Sequence, residues 1–222
     1  FWSTFAITLL FICKYTLTIY TMQLKDKKIY FITNRKHNLP NDTHIITTHD
    51  TKLLQKFLYE SLENGTMVGY DKETTGLSPF TRHELLDVFG NRDVAFVVDR
   101  TSVSVDFVNS FKDIRYIGHN IQFDCKFALY NGIHIINTYD TLLVERTLRR
   151  GLVPQNSLEQ TYKRRCGKQY PVPKDTRNDF VGASKMMVFN EQHILYSAAD
   201  NFTIFINDLL KHTKRLIKLN AY

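Results

Sequence analysis

An α/β domain built around a mixed sheet is the fold class this sequence predicts, and three observations lead there. Short β-branched and aromatic stretches cluster in the first half of the chain, helical periodicities lie between them, and helices dominate from Tyr139 onward. With 222 residues, 43% of them hydrophobic and 23% charged, the chain can bury one ordinary core. It contains no repeat or low-complexity stretch, so neither a solenoid nor a disordered linker is indicated.

Each element has its own signal. Residues 28–33 (KIYFIT) and 43–47 (THIIT) have strand composition, with a turn over Asn38–Asp42 around Pro40. In TKLLQKFLYESLEN, Leu53, Leu54, Phe57, Leu58 and Leu62 recur at helical spacing, and Asn64-Gly65 closes the helix. Met67–Asp71 reads as a buried strand. His83–Val88 and Asp93–Asp99 read as two more, joined at Gly90-Asn91 as a hairpin. Tyr116–Gly118 is a short strand before a helix over Ile121–Tyr130, and Ile133–Ile136 is another extended piece. Helices then follow over Tyr139–Arg150, over Leu158–Cys166, and from Glu191 into the C-terminus.

Composition narrows the partners. A formal charge of +7 and a pI near 9.2 favour polyanions such as nucleic acid. Cys13, Cys125 and Cys166 are widely spaced, which excludes a zinc ribbon and a disulfide framework and suits a reducing compartment, the cytoplasm. Residues 1–21 (FWSTFAITLLFICKYTLTIYT) hold one base, Lys14, and no acid. Their apolar run is too short to span a bilayer, and they lack the basic start and small-residue cleavage site of a signal peptide. Met22 offers a natural start. Residues 1–21 are therefore expected to be an apolar leader or fragment edge outside the core, 22–222 a single domain, and no stable membrane association is expected.

Three stretches carry acids that could do chemistry. In MVGYDKETTGL, Asp71 and Glu73 are offset by two, so a strand points both to one side. Like charges there repel unless a cation lies between them, and hard oxygen donors suit Mg²⁺ or Mn²⁺. A solvated surface pair is the bland alternative. In YIGHNIQFDCKFAL, Gly118-His119-Asn120 interrupts a strand and opens a helix. Asn120 suits an N-cap, Phe123 and Phe127 suit a core face, and Asp124 lies one turn in. Asp124 either faces solvent with Asn120 or projects to where Asp71 emerges. In HILYSAADN, Tyr196 and Asp200 are four apart and share a helix face.

Taken in order, D-x-E-T-T-G-L at 71–77, G-H-N-x-x-F-D at 118–124 and Y-x-x-x-D at 196–200 resemble the DEDD superfamily of 3′–5′ exonucleases. The resemblance is to the tyrosine-type branch, which includes the proofreading domain of family A DNA polymerases and the ribonuclease D-like enzymes. The histidine-type branch would place His where Leu195 stands. The resemblance implies a ribonuclease H-like mixed sheet flanked by helices, and a single exonuclease domain over 22–222. It implies that Asp71, Glu73, Asp124 and Asp200 bind two divalent ions, Mg²⁺ or Mn²⁺, while Tyr196 orients the attacking water. The products would be nucleoside 5′-monophosphates.

On the substrate side, the resemblance implies a backbone contact at Thr74 and an apolar wedge at Leu77, whose rival reading is core packing. Asn120 becomes a polar contact near the phosphates, against its N-cap reading, and Phe180 an aromatic that stacks on the terminal base. From Arg146 to Lys168 there are seven bases and one acid, Glu159, which form a track for the backbone or a solvated face. Lys72 should point away from the acids. The expected partner is a single-stranded 3′ end, DNA favoured over RNA, because the extra helical domain usual in ribonuclease D-like enzymes is not visible in the sequence. A polymerase, in cis or in trans, is a further possible partner. The alternatives are an RNA 3′-trimming enzyme and an inactive binding module of the same fold.

Overall fold

Antiparallel and parallel pairings combine in one seven-stranded sheet of order β2-β1-β5-β4-β3-β6-β7. The strands are β1 (Lys28–Ile32), β2 (Ile45–Thr48), β3 (Val68–Thr74), β4 (Glu84–Gly90), β5 (Val94–Asp99), β6 (Tyr116–Gly118) and β7 (Thr138–Asp140). β3–β4 and β4–β5 are antiparallel, whereas β1 with β2 and β5, and β6 with β3 and β7, are parallel. The helices are α1 (Lys52–Glu63), α2 (Ile121–Tyr130), α3 (Thr141–Leu148), α4 (Leu158–Cys166), α5 (Thr176–Phe180) and α6 (Glu191–Leu219). This computed structural model describes residues 24–149, 152, 154–173 and 175–219, with backbone alone at 25 and 206–219. The leader expected over 1–21 and Arg150 of the basic run lie outside the described residues. Among the described residues, no helix is long and apolar enough to cross a membrane.

Two elements depart from the sequence reading. Ile133–Ile136 is not a strand; the extended residues are Thr138–Asp140, which pair with Tyr116–Gly118. Asp140 decides the boundary, because its carboxylate accepts from the N–H groups of Leu142 and Leu143 and so caps α3. The helix expected from Tyr139 therefore starts at Thr141. Ile133 and Ile135 still enter the core, as irregular chain.

Alternation along β3 sorts its side chains. Tyr70 joins Leu54, Leu58, Phe89, Tyr116 and Ile121 in a core on the α1 and α2 side. On the other face Leu86 and Val88, the β4 partners of Glu73 and Asp71, pack with Ile194, Ala198 and Phe202 of α6. Two glycines let α6 come close to the sheet. A Cβ on Gly69 would lie 2.6 Å from the Asn201 side chain, and one on Gly90 would lie 2.2 Å from the Val94 carbonyl and 3.0 Å from Asn201. Asp200, the neighbour of Asn201, is thereby held against the acid-bearing strand.

Candidate active site

The α6 face of β3 ends in the two acids singled out above. Asp71 is half-buried and Glu73 buried, and each sits beside an apolar β4 partner. One turn of α6 brings Tyr196, Ser197 and Asp200 over them. The Ser197 hydroxyl donates to Glu73 Oε1 at 3.2 Å. Asp71, Glu73 and Asp200 each offer a carboxylate oxygen, and the three lie within 4.8 Å of one another.

Asp124 arrives from the side. β6 pairs with β3 only as far as Gly69↔Ile117, so the next stretch of β3 edge is bare. The chain turns sharply at Gly118, where a Cβ would lie 2.8 Å from Ile121 and 2.9 Å from the Tyr70 carbonyl. The first turn of α2 then takes up the bare edge and buries Asp124. Asp124 is not one of the close trio, but it lines the same cleft of about 340 Å³ as Asp71, Glu73, Tyr196 and Asp200.

Electrostatics mark this cluster as unbalanced. Burial, then the charges of Asp124, Asp200 and Glu73, push the Asp71 carboxyl well above its ordinary range; Arg177 opposes them. Glu73 is raised by burial and by Asp200, against Arg177 and the Ser197 hydrogen bond. Burial also raises Asp124, against the Lys72 ammonium and the backbone N–H groups of Asp124 and Lys72. The Tyr196 phenol is raised far above its usual value by burial and then by Asp200, Glu73 and Asp71, so it stays protonated.

The residues expected to hold substrate divide. Leu77 is 80% exposed and lines the cleft, which removes its core-packing alternative. Asn120 also lines the cleft and stands at the N-cap position of α2, but without the side-chain bond expected of a cap. Its φ of 68° is left-handed, and its side chain caps nothing. The Asn120 backbone N–H instead donates to Asp140 Oδ1 at 2.9 Å. The Thr74 hydroxyl is turned inward and donates to the Gly76 carbonyl at 2.7 Å, which shapes the turn leading to Leu77. Phe180, expected to stack on a base, is only 1% exposed and does not line the cleft. Its ring packs on His193 and, with centroids 6.2 Å apart, on Tyr196 from behind.

Three of the seven bases in the basic run are committed to one buried acid. Arg149, Arg164 and Arg165 all converge on the buried carboxylate of Glu145. Despite burial, hydrogen bonds and charge from Arg165, then bonds from Arg149 and Arg164, hold Glu145 below its usual range. Arg146 alone of this helix turn lines the cleft. Lys72 points to the opposite face as expected, where it pairs with Glu84 and Asp87 beside Arg100.

Two site residues escaped sequence reasoning. Arg177 of the short helix α5 lines the cleft and is the countercharge felt by Asp71 and Glu73. The hydroxyl of Tyr170 donates to Asp200 Oδ1. Both come from the loop-rich stretch between α4 and α6, where no spacing pattern announces a partner.

A family model for the 3′–5′ exonuclease domain of DNA polymerase A type matches residues 43–206. Comparison with curated protein sequences finds no match. Among solved structures, the catalytic core of RRP6 from Trypanosoma brucei is similar with a TM-score of 0.61 at 17% identity, over 90% of this chain and 50% of that one. Brucella melitensis NrnC with bound Mg²⁺ gives 0.56 at 16% identity over 84% and 81% of the two chains. The same protein bound to pGG gives 0.54 at 15% over 88% and 87%. The Trypanosoma brucei RNase D complex with RNA U12 gives 0.56 at 15% over 84% and 64%. At these identities the structures establish a shared fold.

Proposed function

The chain belongs to the 3′–5′ exonuclease family, and from that premise we propose that it removes nucleoside 5′-monophosphates one at a time from single-stranded 3′ ends, using two divalent ions, Mg²⁺ or Mn²⁺. The observation that carries this reading is the meeting of Asp71, Glu73 and Asp200 within 4.8 Å, with Asp124 in the same cleft. The donor set is all carboxylate oxygen, and burial and mutual repulsion disfavour its charged form, so it fits a hard divalent cation. When bound there, such ions acidify a water and stabilise the oxygen leaving the scissile phosphate.

The chain's own residues do the rest. Asp71, Glu73, Asp124 and Asp200 are the ligands, with Ser197 holding Glu73 and Tyr170 holding Asp200. Tyr196, kept neutral, orients the attacking water through its hydroxyl and is too weak an acid to serve as the base. Arg177 lines the cleft, acts on the charges of Asp71 and Glu73, and meets the substrate phosphate. Leu77 wedges against the terminal bases, and Asn120 contacts the phosphate side of the cleft. An inactive binding module would not need all of these groups aimed into one cleft.

Both polymers present the same phosphodiester to this site. DNA is the reading favoured by the match to the polymerase-type exonuclease family, and RNA the reading favoured by the fold shared with an RNase D solved with RNA. The test uses the full chain with 3′- and 5′-labelled single-stranded DNA and RNA, in Mg²⁺, Mn²⁺ or EDTA, beside Asp71→Ala. Metal-dependent shortening from the 3′ end, absent in the variant, is expected. Shortening in EDTA, or none in any arm, overturns the proposal. The DNA-to-RNA rate ratio decides the polymer.

A further inference from the structure

Outside the catalytic cleft, two large aromatic rings meet on the surface. Phe80 is 77% exposed and Tyr130 55% exposed, yet they pack edge to face with centroids 5.3 Å apart. They come from different elements, and each element leads back to the cleft. Phe80 lies three residues beyond Leu77 in the β3–β4 loop. Tyr130 ends α2, two turns beyond Phe123, which lines the cleft; Phe127 between them is buried and supports the Phe123 ring, 5.2 Å away, from inside. Tyr130 is seven positions along the helix from Phe123, a rise of about 10 Å, or roughly three nucleotides at a stacked spacing of about 3.4 Å.

The loop and the helix that carry the pair each supply a cation. The loop TGLSPFTRH (75–83) has no acid and carries Arg82, whose side chain lies against Gly76. On α2 the exposed Lys126 stands one turn from both Phe123 and Tyr130, and the only acid of that helix, Asp124, is in the site. Exposed rings beside cations, continuous with a 3′-end cleft, match the chemistry of a single strand: bases stack on rings and phosphates pair with cations, whatever the sequence.

We propose that Phe80 and Tyr130, with Arg82 and Lys126, form a stacking platform for the nucleotides upstream of the scissile bond. The inference rests on the exonuclease reading and extends it: the enzyme grips about three further nucleotides and favours oligomers over dinucleotides.

The experiment compares the full chain with its Phe80→Ala/Tyr130→Ala double variant on a dinucleotide and on an oligomer of about ten nucleotides. Wild type is expected to show a KM for the oligomer about tenfold below that for the dinucleotide, and the variant to close this gap by raising the oligomer KM with little change in kcat. A gap that persists in the variant, or is absent in wild type, overturns the platform. In a second arm, oligomers with one 5-iodouracil are cross-linked to wild type in EDTA, where no turnover is needed. Adducts on Phe80 or Tyr130 from upstream positions support it. Adducts elsewhere assign the pair to another partner, such as a protein, and overturn it. An inactive wild type that still cross-links at the pair sinks the exonuclease reading and leaves the platform as a binding site.

Discussion

Two ionic clusters lie back to back on one strand. On one face of β3, Lys72 pairs with Glu84 and Asp87 beside Arg100, two cations against two acids, all nearly sealed from solvent. On the other face, Asp71 and Glu73 meet Asp124 and Asp200; Arg177 is the opposing charge felt by Asp71 and Glu73, and Lys72 the one felt by Asp124. The first cluster is balanced in charge within the chain, two cations to two acids, although burial and Asp87 still push the Glu84 carboxyl up. The second has surplus acid in an open cleft. Such a surplus is stable only if protons are taken up or a cation arrives from outside, which is what separates a binding site from a structural ion network. Glu145 with its three arginines belongs to the first kind, although those arginines come from the run that reads as a nucleic-acid track.

The difference can be broken from either side. Asp71→Asn should lower kcat about a thousandfold or more, because it removes a ligand from the surplus cluster. Its thermal midpoint in EDTA should rise above wild type, since repulsion and the burial of a charge are both relieved. A lower midpoint in EDTA would mean that the cluster is balanced after all.

Lys72→Met should do the reverse. It strands Glu84 and Asp87, which are buried, beside Arg100 alone, and should cost about 3–5 kcal/mol of stability by denaturant unfolding. A loss well below that range would show that Arg100 suffices for both acids. The two clusters also touch, since the Lys72 ammonium is the main influence favouring charged Asp124.

pH sharpens the contrast further. Asp71, Glu73 and Asp124 have folded pKa values raised above their unfolded ones. Between those values the native state holds more protons than the unfolded chain, so stability in EDTA should fall as pH rises from about 4 through the raised values. In saturating Mg²⁺ the slope should flatten, because the carboxylates are then neutralised by metal. Unfolding free energies at several pH values, with and without the ion, measure both slopes; equal slopes would contradict the metal assignment.

What could be read beforehand follows from which contacts are local. Asp71 with Glu73 and Tyr196 with Asp200 are pairs set by the strand and helix periods, so their shared faces follow from the spacing alone. The strand-to-helix change at Gly118-His119-Asn120 leaves Asp124 open between solvent and the site, and only the family resemblance chooses the site. Phe180 misled because its spacing does not tell whether a ring faces a cleft or the back of Tyr196. In the basic run the count of bases is visible in the sequence, but the partner Glu145 shared by Arg149, Arg164 and Arg165 is not. Thr138–Asp140 was missed because Asp140 looks equally like a residue inside a helix until its capping bonds are seen. Arg177 and Tyr170 reach the site through tertiary packing of irregular chain, which no period encodes.

Tyr170 supplies the finest test of the comparison. Its hydroxyl is the polar tip of a small aromatic cluster with Tyr162 and Cys166, and it reaches across to Asp200 Oδ1. Burial and then the Asp200 charge raise its pKa well above the usual value, so it remains a donor throughout the working range. A donor on one carboxylate oxygen fixes which way the other points, as groups behind metal ligands commonly do. Tyr170→Phe keeps the ring against Tyr162 and deletes the hydroxyl, with its bonds to Asp200 and Thr203. Mn²⁺ affinity by titration calorimetry should weaken about tenfold, with a smaller change in thermal midpoint in EDTA. If instead the midpoint falls while affinity holds, the hydroxyl belongs with the Lys72 side of the comparison, as a group that completes the fold and does not prepare the site.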